Sequence, residues 1–261
     1  MTRRLATYNV NSVRARLSVL ESWLRRARPD VVCLQETKVQ DAAFPSEAFR
    51  ALGYASVFRG EKSYNGVAIL SLEEPSDVRF GLEDDGPADE ARLIAASFGK
   101  LHVVNTYVPQ GRDVDDPMFR YKLEWLARLR RYFERRFTPR SLVVWAGDFN
   151  IAPEAIDVHD PKRLLGHVCF HPDAQRALAD VRAWGFVDAF RRHVPEPGQY
   201  TFYDYRVKNA VARGLGWRVD HIWTTPPFAR RSTGAWIDLG PRTGETPSDH
   251  TPLVVEFDGQ D

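Results

Sequence analysis

The residues able to do chemistry in this chain stand at the ends of apolar runs. Leu5-Ala6-Thr7-Tyr8 leads into Asn9-Val10-Asn11, and Val31-Val32-Cys33-Leu34 leads into Gln35-Glu36-Thr37-Lys38. Val103-Val104-Asn105-Thr106 leads into Tyr107-Val108-Pro109-Gln110-Gly111, and Leu142-Val143-Val144-Trp145 leads towards Gly147-Asp148-Phe149-Asn150. Two later pieces, Arg218-Val219-Asp220-His221 and Pro247-Ser248-Asp249-His250, add to the pattern. Carboxylates are costly beside buried strands unless they reach a strand end, pair, or bind metal. Convergent ends of this kind imply one site at one edge of the sheets, with Glu36, Asp148, Asn150, Asp220 and His250 as its expected members. Carboxylates and histidine are the groups of general acid–base catalysis.

Singly, each has a plainer reading. Glu36 reads as a cap or a salt-bridged surface acid, and Asp148 with Asn150 as an Asx turn after a strand. Ser248-Asp249-His250 reads as the cap of a final strand, and Asn9 and Tyr107 as structural groups.

The elements that must position these residues are legible as patterns. Apolar runs at 5–10, 31–35, 67–70, 93–97, 101–107, 142–146, 219–224 and 253–257 predict strands, several of them rich in β-branched or aromatic residues. Leu17, Leu20 and Leu24 recur at helical spacing, with Arg25, Arg26 and Arg28 near the end and Pro29 after them. A second helix is predicted over 117–137, with Leu123, Leu126, Leu129 and Phe133 on one face. Its Arg128, Arg130, Arg131, Arg135 and Arg136 are expected on the solvated side. A third helix is predicted around 173–184, before Gly185. A strict βαβα repeat is absent, so the expected architecture is two packed sheets with helices outside, as a single domain over 1–261.

Hydrophobic residues at 43% and charged residues at 27% leave ample material for a core. A net charge of +1 argues neither for nor against nucleic acid, because a basic face can coexist with acidic clusters elsewhere. Cys33 and Cys169 form no CxxC pair or Cys/His cluster, so zinc is not expected, and the usage fits a reduced cytoplasmic protein. No secretory-type apolar stretch follows Met1, and no run approaches the roughly 20 residues of a membrane helix.

Taken in order, seven segments carry a resemblance: Tyr8-Asn9-Val10-Asn11-Ser12-Val13-Arg14-Ala15-Arg16, Leu34-Gln35-Glu36-Thr37-Lys38, Tyr107-Val108-Pro109-Gln110-Gly111, Gly147-Asp148-Phe149-Asn150-Ile151-Ala152-Pro153, Thr201-Phe202-Tyr203-Asp204-Tyr205-Arg206, Gly216-Trp217-Arg218-Val219-Asp220-His221 and Pro247-Ser248-Asp249-His250. The set resembles the exonuclease III family of AP endonucleases, within the endonuclease/exonuclease/phosphatase superfamily that also contains deoxyribonuclease I. It spans nearly the whole chain, and the ordered set is far more specific than any one tetrapeptide.

The resemblance implies a four-layer α/β sandwich, with two central mixed β-sheets flanked by helices. It implies a site for Mg2+, with Mn2+ as the alternative, in which Glu36 is the principal ligand and Asn9 and Asp249 stand near it directly or through water. Magnesium keeps several waters and takes few protein carboxylates, so no dense ligand cluster is expected. The implied substrate is duplex DNA at abasic sites and blocked 3′ ends. Cleavage there gathers charge on the phosphoryl and departing 3′ oxygens.

Residue types then suggest roles. A protonated His250 can donate to a phosphoryl oxygen, and Asp220 can orient that ring and keep it charged. Asp148 can orient or deprotonate the attacking water, Asn150 can fix the phosphate and the Asp148 carboxylate, and Tyr107 can hydrogen-bond a phosphate oxygen. Asp148 and His250 are both candidates for the general base, and Asp148 is preferred. His221, one position past Asp220, is expected to face away. His102, His159, His167, His171 and His193 share no spacing and read as surface or hydrogen-bonded groups.

Arg14, Lys38 and Gln110 lie just beyond strand ends and are expected to meet DNA phosphate or sugar, with Arg16 similarly placed. Phe202, Tyr203 and Trp217 are the expected wall for an abasic sugar or a displaced base, where a damaged nucleotide enters at the lowest unstacking cost. Phe202 and Tyr203 stand where many family members carry tryptophan or phenylalanine, a departure that bears on the ratio of exonuclease to abasic-site cleavage.

Two other readings compete: a superfamily phosphoesterase acting on inositol phosphates or sphingomyelin, and a non-enzymatic DNA-binding domain with a decayed site. Segments 8–16, 201–206 and 216–220 favour the repair branch over the first, and the retained polar residues argue against the second. No amphipathic seam calls for a dimer, so a monomer is expected.

Overall fold

The computed structural model describes residues 2–84, 86–87 and 89–259. In chain order the strands are β1 (Thr2–Asn9), β2 (Val31–Gln35), β3 (Ala55–Arg59), β4 (Val67–Ser71), β5 (Ser76–Phe80), β6 (Leu93–Phe98), β7 (Leu101–Tyr107), β8 (Leu142–Asp148), β9 (Val187–Asp188), β10 (Asp220–Thr224), β11 (Ser232–Ile237) and β12 (Leu253–Asp258). They form two six-stranded sheets, ordered β11-β12-β1-β2-β4-β3 and β5-β6-β7-β8-β10-β9. The β1–β2 and β7–β8 pairs are parallel and the other neighbours antiparallel, so both sheets are mixed.

Three apolar layers hold the stack together. Leu20, Trp23 and Leu24 of the helix Leu17–Ala27 pack with Ala6, Tyr8, Val32 and Leu34 on the outer face of the first sheet. The helices Pro117–Arg136 and Pro172–Arg182 cover the second sheet, with Trp125, Leu129, Phe133 and Leu178 against Val143 and Trp145. Between the sheets lie Leu5, Cys33, Ile69, Val144, Ala146, Ile222 and Val255. The result is the expected four-layer α/β sandwich, helices outside and sheets inside. Among the described residues no helix is long and apolar enough to cross a membrane.

Every strand expected from apolar patterning is present. Four were not announced by the sequence: β3, β5, β9 and β11. These are the edge strands of the two sheets. β3, β5 and β11 are mostly half-buried or exposed, and β9 is only two residues long, so none produces an apolar run. The long helix also departs from expectation at two positions. Leu123 is only half-buried, and Arg128 is buried and ion-paired with Asp84 (2.6 Å) and Asp89 (2.8 Å), which lie against the helix.

Alternation explains why one end of the sandwich carries chemistry. Every second residue of a strand points to the same face. On the inner faces, Leu5 gives way to Thr7 and Asn9, Cys33 to Gln35, Val103 to Asn105 and Tyr107, Val144 and Ala146 to Asp148, and Ile222 to Asp220. Below the outermost residues lies a buried amide layer. Gln35 Nε2 donates to Asn105 Oδ1 (2.7 Å) and Thr7 Oγ1 (3.0 Å), while Asn105 Nδ2 crosses to the carbonyls of Leu34 (2.9 Å) and Ala68 (2.8 Å). Polar groups this deep are tolerated because they are paired. Gly147 lets β8 approach β7 closely, since a Cβ there would lie 1.9 Å from the Thr106 carbonyl oxygen.

A second buried network braces the loop after β8. Arg218, 1% exposed, donates to Asp157 Oδ1 (2.8 Å), Asp188 Oδ2 (2.8 Å) and His221 Nδ1 (3.0 Å). Because arginine only donates, His221 Nδ1 must accept, and its Nε2–H donates to the Ile151 carbonyl (3.0 Å). Burial and the Arg218 charge push the His221 pKa down to about 3. Burial opposes ionisation of Asp157 and Asp188, but Arg218 outweighs it and holds both below the usual carboxylate range.

These shifts share a sign. Unfolded histidine gains a proton near pH ~6.5 while folded His221 stays neutral, so acidification destabilises the fold by up to about 1.4 kcal/mol per pH unit from this group. The carboxylates contribute stability that is complete above their unfolded pKa of about 4 and lost as pH falls through their lower folded values. Denaturant midpoints should therefore drop between pH 6.5 and pH 4 (about the range in which unfolded histidine charges). His221→Asn should give a shallower slope in urea titrations, and an unchanged slope would mean that the ring protonates within the fold.

Candidate active site

Five strand ends place the chemistry. Tyr107, Asp148 and Asp220 are register partners across β7, β8 and β10, so their side chains form one row on the inner face of the second sheet. Asn9 ends β1 on the facing sheet, and Glu36 follows β2 at φ 51°, a left-handed conformation uncommon outside glycine. Lys38 (φ 52°) and Asn150 (φ 50°) share it, and such backbone strain gathers at functional sites.

Asn9 joins the two sheets at this end. Its Nδ2 donates to Glu36 Oε1 (2.8 Å) and to Asp148 Oδ2 (2.9 Å), while its Oδ1 accepts from the Asn11 amide (3.0 Å). Asn9 thus turns its side-chain nitrogen to both carboxylates. Glu36 also pairs with Lys38 Nζ (2.6 Å). Burial works against its charge, but Lys38 and the Asn9 hydrogen bond outweigh it and hold the carboxyl below its ordinary value. Asp249 Oδ1 accepts from Asn11 Nδ2 (3.0 Å).

On the second sheet, His250 Nδ1 donates to Asp220 Oδ2 (2.7 Å), and its Nε2 lies 3.9 Å from Asp148 Oδ2. Burial alone would discharge the ring, but Asp220 and Asp148 raise its pKa well above the ordinary histidine value. Asp148 is fully buried; desolvation and the neighbouring Asp220 charge raise its carboxyl well above the usual range. Asp148 Oδ1 accepts the Asn150 amide (2.8 Å), and Asn150 Nδ2 donates to the Val108 carbonyl (3.0 Å). His221 faces the opposite side of β10, as alternation requires.

A cavity of about 230 Å³ opens over these groups, lined by Glu36, Tyr107, Gln110, Asn150, Asp249 and His250 with Phe202 and Trp217 as apolar walls. The Phe202 ring lies 5.0 Å from the His250 ring. Tyr203 is a correction: at 4% exposed it packs with Tyr200 and Ala210 away from the cavity, because neighbours in an extended segment face opposite ways. Arg14 is exposed, whereas Lys38 is engaged internally with Glu36 and Asn11. Arg16 ties loops together through Tyr205 and the Pro247 carbonyl. Sequence reasoning missed His167, Cys169, Asp204 and Arg206 as cavity-lining residues. His167, whose ring lies 4.7 Å from that of Trp217, sits in an irregular segment where no periodicity reports direction.

Among the described residues, Glu36, Asp148 and His250 offer potential ligand atoms within 4.8 Å of one another. A ring protonated at Nε2 and bonded to Asp220 through Nδ1 has no lone pair for a metal, so the fitting donors are carboxylate oxygens. Asp220 Oδ1 is buried and has no hydrogen-bond partner. Such an oxygen set suits a hard divalent cation.

Residues 6–250 match the model of the Endonuclease/Exonuclease/phosphatase family. The chain is 34% identical to exodeoxyribonuclease III of Haemophilus influenzae, over 97% of this chain and 99% of that protein. An AP endonuclease structure from Archaeoglobus fulgidus superposes with a TM-score of 0.96 at 52% identity, covering 98% of this chain and 99% of that one. The 3′ phosphatase NExo from Neisseria, bound to a product DNA hairpin, gives a TM-score of 0.91 at 36% identity with the same coverage.

The charge balance is testable by NMR. Asp220→Asn should lower the His250 pKa by about one unit or more, while Asn9→Asp should raise that of Asp148 by adding a like charge. Unmoved titrations would show that these contacts do not set the two protonation states.

Proposed function

The chain belongs to the endonuclease/exonuclease/phosphatase family, and we propose that it is a DNA repair nuclease hydrolysing phosphodiester bonds of duplex DNA at abasic sites and 3′ ends. The observation that carries this reading is His250 held between Asp220 and Asp148 beneath a cavity walled by Phe202 and Trp217. Relatives named as exodeoxyribonuclease III, AP endonuclease and 3′ phosphatase support the substrate.

Each side chain has a part in this reaction. Asp148, whose raised pKa makes it a stronger base than an ordinary carboxylate, takes the proton of the attacking water. A protonated His250 cannot accept that proton. Instead its Nε2–H donates to a phosphoryl oxygen as charge builds there, while Asp220 Oδ2 holds Nδ1–H and keeps the ring oriented. Asn150 fixes Asp148 through its amide and has a second side-chain N–H for phosphate. Tyr107 lines the phosphate position beside Glu36.

The proposed cofactor is Mg2+, with Mn2+ as an alternative, held by Glu36 with Asp249 at the same cavity. When bound it neutralises charge on the phosphoryl and leaving oxygens. Arg14 and Gln110 are proposed contacts to the DNA backbone. The two buried free cysteines support a reducing, cytoplasmic setting, and a monomer is the simplest active form.

A duplex carrying one abasic-site analogue should be nicked with Mg2+ and left intact with chelator; no metal-dependent nick would defeat the reading. Asp148→Asn and His250→Ala should each lower kcat by about 100-fold or more with folding intact. The pH profile of kcat should rise in a limb above the ordinary carboxylate value of about 4 and fall only above the ordinary histidine value of about 6.5. Phe202→Ala should impair abasic-site cleavage while Mn2+ affinity is retained, and equal losses would assign Phe202 to packing.

A further inference from the structure

Lys122 sits in the second turn of the helix Pro117–Arg136 and is 0% exposed. Its Nζ donates to three main-chain carbonyls: Gln110 (3.2 Å), Asn150 (2.8 Å) and Val168 (3.0 Å). The carbonyls come from three separate segments: the turn after β7, the turn after β8, and the stretch leading to the helix Pro172–Arg182. Each segment supplies a wall of the cavity, through Gln110, through Asn150, and through His167 with Cys169.

An ammonium bonded only to carbonyls is an expensive group to bury, and an apolar side chain of similar length would fill the space at lower cost. The desolvation is evident in a pKa pushed below the ordinary lysine value. Lysine suits the position in another respect: its three N–H donors meet three acceptors, one from each loop. Asn150 gains most from this arrangement. It is held at φ 50°, with Asp148 on its amide and Lys122 on its carbonyl, so the peptide groups on both sides of its side chain are fixed.

We propose that Lys122 is a positioning residue of the nuclease site, its ammonium locking three loops so that Asn150, Gln110 and the His167 wall meet the phosphate in one geometry. This deepens the nuclease reading and rests on it for the substrate, while the locking of the loops has its own readout.

Lys122→Met removes the ammonium at nearly constant volume, and Lys122→Gln keeps two N–H donors without the charge. In Lys122→Met, kcat on the abasic duplex should fall by about 10- to 100-fold with KM little changed, as expected for a misplaced group rather than lost binding. Amides of residues 110–112, 150–152 and 166–170 should exchange hydrogen about tenfold faster or more, while those of β7 and β8 keep their protection. Lys122→Gln should recover part of both effects. Exchange accelerated evenly across both sheets, unchanged exchange in the three loops, or failure of both variants to fold would reduce Lys122 to a stability residue and overturn the proposal. If the wild-type protein leaves the abasic duplex intact, the nuclease reading fails, and loop exchange alone decides whether Lys122 locks the site.

Discussion

The site depends on one amide. Asn9 Nδ2 reaches from the end of β1 to Glu36 on its own sheet and to Asp148 on the other. Two carboxylates this close repel, and the amide satisfies an oxygen of each while adding no charge. Its position is set by the amide layer below, where Gln35, Thr7 and Asn105 hold the sheets in register. The apolar layer further in fixes the spacing between sheets. The catalytic end is therefore a continuation of the core, with apolar residues replaced by polar ones as the strands run out.

Buried charge is handled in three ways. At the centre, His250 is kept charged by two aspartates, one of which is itself raised by crowding, so an acid and a base coexist a few ångströms apart. Behind the site, Arg218 is neutralised by Asp157 and Asp188 and fixes the tautomer of His221. Beneath the loops, Lys122 is hydrogen-bonded to three carbonyls. In the proposed reaction the first arrangement serves proton transfer, while Arg218 and Lys122 bond to groups around it.

The inner strands were legible because each is buried between neighbours and reads as an apolar run. The edge strands β3, β5, β9 and β11 have few buried residues or little length, and their sequences carry no comparable signal. The helices showed the same limit. Apolar spacing located the one over Pro117–Arg136, yet Arg128 and Lys122 are buried on it, because their partners lie far away in sequence.

Residue type and order by themselves picked out the groups expected to carry chemistry, Glu36, Asp148, Asn150, Asp220 and His250, each adjoining an apolar run, and strand alternation turned Asp220 inward and His221 outward. Tertiary structure alone decided how those groups act on one another. It gave Asn9 a bridging amide, withdrew Tyr203 from the cavity, engaged Lys38 with Glu36, and brought His167 to the wall. The physical reason is range. Side-chain direction along a strand follows from the residue's own backbone, whereas protonation, hydrogen-bond partners and cavity shape follow from groups that meet only when the two sheets and their loops close together.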